Sequence, residues 1–275
     1  METKLISDRN LIVGLLILMV PVIIVIFMSF IYTDGINSHL TISGFKELST
    51  PIRIQELLSI SLRALLVSII ATIIAFIIAV FISSFSSTNQ TIYLSVLTIP
   101  FLINESIRVF SWQHFLSVNG GINKLLSCIT NKQIAIFNGA NFWNVYVVMI
   151  ITCIPLGVFI FSAAIKIIPN IYLTVAKDLN MTPFYKTTRI ILPLCKFAVV
   201  TSLTVIFFIS FSQSTEVNYL GGDTKISIRN LILSLMSAGK FQAIYALGSI
   251  IIVLLILFIY FIHLIQIKST FSKNK

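Results

Sequence analysis

Charge is what this sequence has least of. Only 10% of its 275 residues are Asp, Glu, Lys or Arg, against roughly 25% in a water-soluble domain, so the chain could not cover a globular surface. Cysteine is almost as scarce. Cys128, Cys153 and Cys195 are an odd number without paired spacing, which excludes a disulfide framework and reads as buried structural thiols. His39, His114 and His263 stand too far apart for metal-ligand spacing. The Gly-rich phosphate loop that ends in Lys-Ser or Lys-Thr is missing, so the chain does not hydrolyse nucleotides by that route. No cluster of His, Asp, Glu or Cys faces one leaflet as a membrane enzyme requires, and nothing calls for a cofactor.

What is present is apolar and comes in long runs. Hydrophobic residues make up 57% of the chain, and the mean hydropathy is +1.02. A bilayer helix needs about 20 mainly apolar residues, because hydrocarbon satisfies no backbone amide. Six runs meet or approach that length: 11–32, 64–82, 91–110, 142–165, 197–215 and 241–267. The expectation is an all-α polytopic membrane protein with six transmembrane helices in one domain over 11–267. Residues 1–10 and 268–275 form short tails on the same side. The first run is too long for a signal-peptide core and lacks a small-x-small cleavage site, so it reads as a retained span.

A net charge of +10 does not imply nucleic acid, because the basic residues are scattered between spans rather than gathered in patches. With the N-terminus inside, ten Lys and Arg fall on the inner side and nine on the outer, so charge alone barely chooses an orientation. Arg63 reads as a residue snorkelling to the interface. The short connection 83–90 makes spans two and three a tight hairpin. Between spans five and six, Ile228, Leu231, Ile232, Leu235 and Met236 fall on one helical face.

The stretch from Pro169 to Pro193 carries the most information. Ile171, Val175 and Leu179, with Tyr172 and Ala176 alongside, make an apolar stripe on a short helix. Asn170, Thr174, Lys177 and Asp178 decorate its other side. Asn180 tolerates positive φ and lets the chain turn. Thr182 before Pro183 reads as cap and first position of a second helix, running into Leu192-Pro193.

At these residues the chain resembles the inner-membrane permeases of binding-protein-dependent ABC importers. Their signature is Glu-Ala-Ala, three residues, Gly, nine residues, Ile-x-Leu-Pro. Ala176 fills its third position, Asn180 stands at the glycine, and Ile190-Ile191-Leu192-Pro193 closes it in register. Thr174 and Val175 stand where the family has glutamate and alanine. Two further stretches, Thr98 to Phe110 with His114 to Ser117 and Asn218 to Asp223 leading into Arg229 to Ile232, resemble spermidine/putrescine permeases of the B type. The resemblance implies the type I importer permease fold, with a cytoplasmic coupling helix between spans four and five. It implies both termini in the cytoplasm of a bacterial inner membrane. The implied partners are ABC ATPase subunits, a second homologous permease and an extracytoplasmic solute-binding protein, all working in or at the lipid bilayer. The implied cargo is a polyamine.

Pathway residues are weighed on that footing. Glu105 and Arg108, three apart on a helix, either line the pathway or neutralise each other at the membrane edge. Trp112, Tyr219 and Glu216 could hold ammonium groups, while interfacial aromatics also serve as ordinary anchors. Asn104 and Gln213 suit a substrate contact or a bond between helices. Lys177, Lys186 and Arg189 would meet acidic groups on an ATPase or lipid headgroups. Importers of an anion, ferric iron or thiamine, and an ion-coupled secondary transporter, remain the alternatives.

Overall fold

A computed structural model describes residues 19–34, 37–130, 141–222 and 226–271. Among the described residues the regular elements are helices and one two-stranded ribbon. In it β1 (Ile31–Asp34) pairs antiparallel with β2 (Asn37–Leu40). That ribbon departs from the all-α expectation. Among the described residues, three helices are long and apolar enough to cross a membrane: α3 (Pro51–Ile82), α7 (Phe142–Lys166) and the Phe241–Tyr260 part of α14 (Phe241–Phe271).

Two further spans are bent. The run 91–110 is not one helix: α4 (Ser87–Leu102) and α5 (Glu105–Phe115) meet at 95° across Ile103 and Asn104. Pro100 sits inside α4, and Asn104 takes the N-cap of α5 by accepting from the Ser106 amide at 2.9 Å, so the chain restarts a helix there. The second bend, 74°, separates the segment Pro183–Leu194 from α11 (Lys196–Ser212). Counting each bent pair once gives five spans. The start of the first expected span, 11–18, lies outside the described residues; its described part begins with a ten-residue apolar helix, α1 (Met19–Met28), and ends in the first residues of β1.

The chain forms two compact units. In the first, α1 approaches α14 closely at Gly248, where an added Cβ would stand 2.9 Å from Cγ1 of Val25. The short helix α2 (Ser43–Leu48) packs Gly44 against the backbone of Gln242. Glu47 accepts from Lys240 at 2.6 Å. The helix α13 (Ile228–Ser237) buries Ile228, Leu231 and Leu235 and leaves Met236 exposed. Gly239, at φ 69°, ends that helix with the Lys240 amide bonded back to Leu235.

The second unit holds a seam of small residues. Ala64, Val67, Ser68, Ala71, Thr72, Ala75 and Ala79 recur at three- and four-residue steps along α3, all buried. Such residues let membrane helices approach closely. Gly157 of α7 meets the seam: an added Cβ there would lie 2.6 Å from Ala75 Cβ and 3.2 Å from Ser202 Oγ of α11. Thr72 and Ser202 share a hydrogen bond at 3.3 Å in the same contact. Arg63 does not snorkel. It is 3% exposed and donates from Nη2 to the carbonyl of Ile226 at 2.9 Å, because a guanidinium trapped against protein must spend its donors on backbone. Cys153 and Cys195 are buried as expected, but Cys128 is exposed, since its helix α6 (Gly121–Thr130) buries only Asn123.

Candidate functional site

Two places bring sequence-predicted residues together. The first is the loop between α7 and α11. The helix α8 (Asn170–Asp178) forms as expected. Asn180 follows with φ 48°, a left-handed conformation that asparagine tolerates better than most residues. Thr182 caps α9 (Pro183–Lys186) by accepting from the Tyr185 amide at 3.4 Å. The helix then widens to a π turn at Thr187–Ile191 before α10 (Leu192–Leu194). Pro193 has no N–H to return to Arg189, four residues back, which favours such a slip.

The apolar stripe of α8 faces outward. Ile171 and Leu179 are each 68% exposed, with Tyr172 and Val175 also exposed, whereas Ala176 is fully buried. Thr174 turns its hydroxyl to the carbonyl of Asn170 at 3.1 Å, and Asp178 is exposed. The Lys177 side chain lies outside the described residues. Ile190 is half-buried, Leu192 exposed and Ile191 buried. Beyond the turn, Phe184 and Tyr185 are exposed as well. The result is a short helical knuckle with an uncovered apolar face.

The second place is a cavity of about 430 Å³ in the second unit, bounded by α5, α7 and the end of α11. Glu105 and Arg108 both line it. They do not neutralise each other: the ion pairs among the described residues are Arg53–Glu56 and Lys240–Glu47. Arg108 instead donates from Nη1 to the carbonyl of Pro100 at 3.2 Å, holding α5 to the broken end of α4. Its Nε is buried without a partner, as are Thr152 Oγ1 and Gln213 Oε1 on the same lining.

The other predicted pathway residues stand elsewhere. Asn104 serves as the helix cap described above. Trp112 is half-buried against the core formed by Val109, Leu116, Val145 and Met149. Tyr219 packs against Phe110, with ring centroids 4.4 Å apart and the planes tilted by 51°. Glu216, in the short helix α12 (Thr215–Leu220) after the fifth span, is fully buried. Neither of its carboxylate oxygens has a hydrogen-bond partner. Burial pushes this carboxyl up to about 7. Its own amide pulls the value back, Glu105 raises it further, and Arg108 lowers it.

The sequence reading missed Thr152 and Arg229 on the cavity lining. Arg229 lies within a recognised motif, but nothing in its spacing from Arg108, over a hundred residues away, reveals that both reach one cavity. Thr152 follows the helical period of α7 and looks like any small residue in a span.

No family model matches the chain. In sequence it is similar to the spermidine/putrescine transport system permease protein PotB of Haemophilus influenzae. The two are 24% identical over 228 residues, covering 78% of this chain and 77% of that protein. In structure it is similar to a chain of a bacterial ABC transporter involved in the import of the acidic polysaccharide alginate. That match has a TM-score of 0.67 at 19% identity and covers 94% of this chain and 93% of the other. The alginate transporter in complex with its pentasaccharide-bound periplasmic protein gives a TM-score of 0.66 at 19% identity, over 92% and 90% of the two chains. The chain is thus similar in sequence, over more than three quarters of its length, to a transport-system permease, and similar in fold to chains of a bacterial ABC transporter.

Proposed function

We propose that this chain is the permease subunit of an ATP-driven importer, passing a small amine-bearing solute, a polyamine in the first instance, from an extracytoplasmic binding protein into the cytoplasm. The observation that carries the reading is the knuckle at α8. An exposed helix that presents Ile171, Tyr172, Val175 and Leu179 leaves apolar area uncovered, which a partner groove would bury. The positive-φ turn at Asn180 and the closing Ile190 to Pro193 fix that helix at one angle, as a lever between an ATPase and the spans must be. In this reading both termini and the knuckle are cytoplasmic. A second permease completes the pathway, and two ATPase subunits drive alternation between inward- and outward-open states. ATP drives that alternation only if its binding energy differs between the two states.

The amine part of the reading is supported by the likeness to PotB and by Glu105 on the cavity lining. Thr174, Val175, Lys177 and Asp178 would complete the contact with the ATPase. Asn104, Trp112, Tyr219 and Glu216 would act around the pathway as supports rather than as its lining. The test is uptake of labelled spermidine and putrescine by cells carrying this chain, its neighbouring ATPase, second permease and binding protein. Uptake should disappear when this chain is omitted and when the ATPase is inactivated. Replacing Val175 by Asp should release the ATPase during copurification. An ATPase that stays bound to Val175→Asp and to Ile171→Asp would overturn the assignment of α8.

A further inference from the structure

Glu105 and Arg108 are opposite charges one helical turn apart, a spacing at which they ordinarily pair. Here they line one cavity and leave each other alone. Arg108 is half-buried, its Nη1 committed to Pro100, and its Nε unmatched. Thr152 Oγ1 and Gln213 Oε1 are buried on the same lining without partners. Arg229 adds a second guanidinium to it. Buried polar atoms without partners are rare enough that each asks for a cause, such as a bound molecule.

The polar groups of the lining fall into two chemical sets. Arg108 and Arg229 donate hydrogen bonds and attract negative charge, while the Thr152 hydroxyl can donate or accept. Glu105 and Gln213 Oε1 accept them and attract positive charge. A diamine satisfies only the second set and is repelled by two guanidiniums. A simple anion satisfies only the first and is repelled by Glu105. A solute that carries both charges satisfies both sets.

We infer that this cavity receives an amphoteric solute, with a carboxylate on Arg108 and Arg229 and a protonated amine on Glu105 and Gln213. The inference rests on the importer part of that reading and replaces its polyamine cargo with an amine that also bears a carboxylate. Arginine suits the carboxylate end because its planar fork makes two parallel bonds where a lysine makes one. The volume of about 430 Å³ lies within the range of sites that enclose small ligands.

Ornithine and putrescine provide the test, because they differ by one carboxylate. Binding is measured by calorimetry on the intact complex of this chain, its second permease and its ATPase, held in lipid nanodiscs. Ornithine should bind about tenfold more tightly than putrescine, which is one carboxylate-arginine contact. Arg108→Gln should remove that preference, and Glu105→Gln should weaken both probes alike. Arg229 is exposed, so Arg229→Gln keeps the test open if Arg108→Gln fails to fold, and it should narrow the preference several-fold. Equal affinities in the unaltered complex, tighter putrescine, binding of neither probe, or a preference that survives both arginine changes would each overturn the inference. Failure of the importer reading looks different: the chain would not copurify with an ATPase at all.

Discussion

Arg63 of α3 and the carbonyl oxygen of Ile226 are joined by a hydrogen bond of 2.9 Å across 163 residues of sequence. The bond ties the stretch leading into α13 to the start of the small-residue seam. Replacing Arg63 by Met keeps the side chain's bulk and removes the donor. The loss should be about 1–3 kcal/mol, the worth of a hydrogen bond made by a charged group. Thermal unfolding in detergent measures it, and limited proteolysis should cut near residue 226 faster. Unchanged cutting would show that the tether is not what orders this stretch.

Gly157 makes the closest approach in the seam. Its neighbours Ala75 Cβ and Ser202 Oγ belong to two other helices, so a methyl group there cannot be absorbed by one flexible side chain. Gly157→Ala should cost about 1–3 kcal/mol by overpacking. The double change Gly157→Ala with Ala75→Gly moves the methyl across the contact and should recover most of that loss. Additive losses in the double variant would mean that the strain arises elsewhere.

These two contacts mark where the sequence stops being readable. The knuckle was legible because its signals are local: a helical stripe, an asparagine at the turn, and threonine before proline. Each acts within four residues of itself. The long apolar helices were legible for the same reason, since hydropathy adds along the chain. Arg63 was misread as a snorkelling residue because its fate depends on Ile226, which no local pattern can place. Glu105 and Arg108 have the spacing of an ion pair, yet the carbonyl freed near Pro100 competes for the guanidinium and takes it. The gathering of Thr152, Gln213 and Arg229 around that pair is likewise a product of how α5, α7 and α11 pack.

Glu216 makes stability depend on pH. Its carboxyl rises from 4.5 to about 7 on folding, mainly through burial. Between those values the folded chain keeps a proton that the unfolded chain has released. Stability is therefore highest below 4.5, falls as pH rises through the window, and levels off above 7. Glu216→Gln places a neutral amide at the site and should flatten that slope. At pH 4 the variant and the parent should melt alike. At pH 8 the variant should be more stable by a few kcal/mol, since each pKa unit is worth about 1.4. A parent protein whose melting temperature does not change between pH 5 and pH 8 would contradict the buried, proton-holding state.

Asn180 separates the shape of the knuckle from its chemistry. At φ 48° glycine is at least as comfortable as asparagine, whereas a β-branched residue is strained by roughly 1–2 kcal/mol. Asn180→Gly should leave the fold intact, and Asn180→Val should loosen the angle between α8 and α9 without touching the exposed face of α8. If the knuckle transmits force as a rigid lever, Asn180→Val should keep the ATPase bound during purification yet lower solute-stimulated ATP hydrolysis. Asn180→Gly should retain both. The informative comparison is with Val175→Asp, which alters the face and should lose binding first. Asn180→Val behaving like Asn180→Gly in both assays would mean that the apolar surface alone carries the coupling, and that the angle set by the turn is incidental.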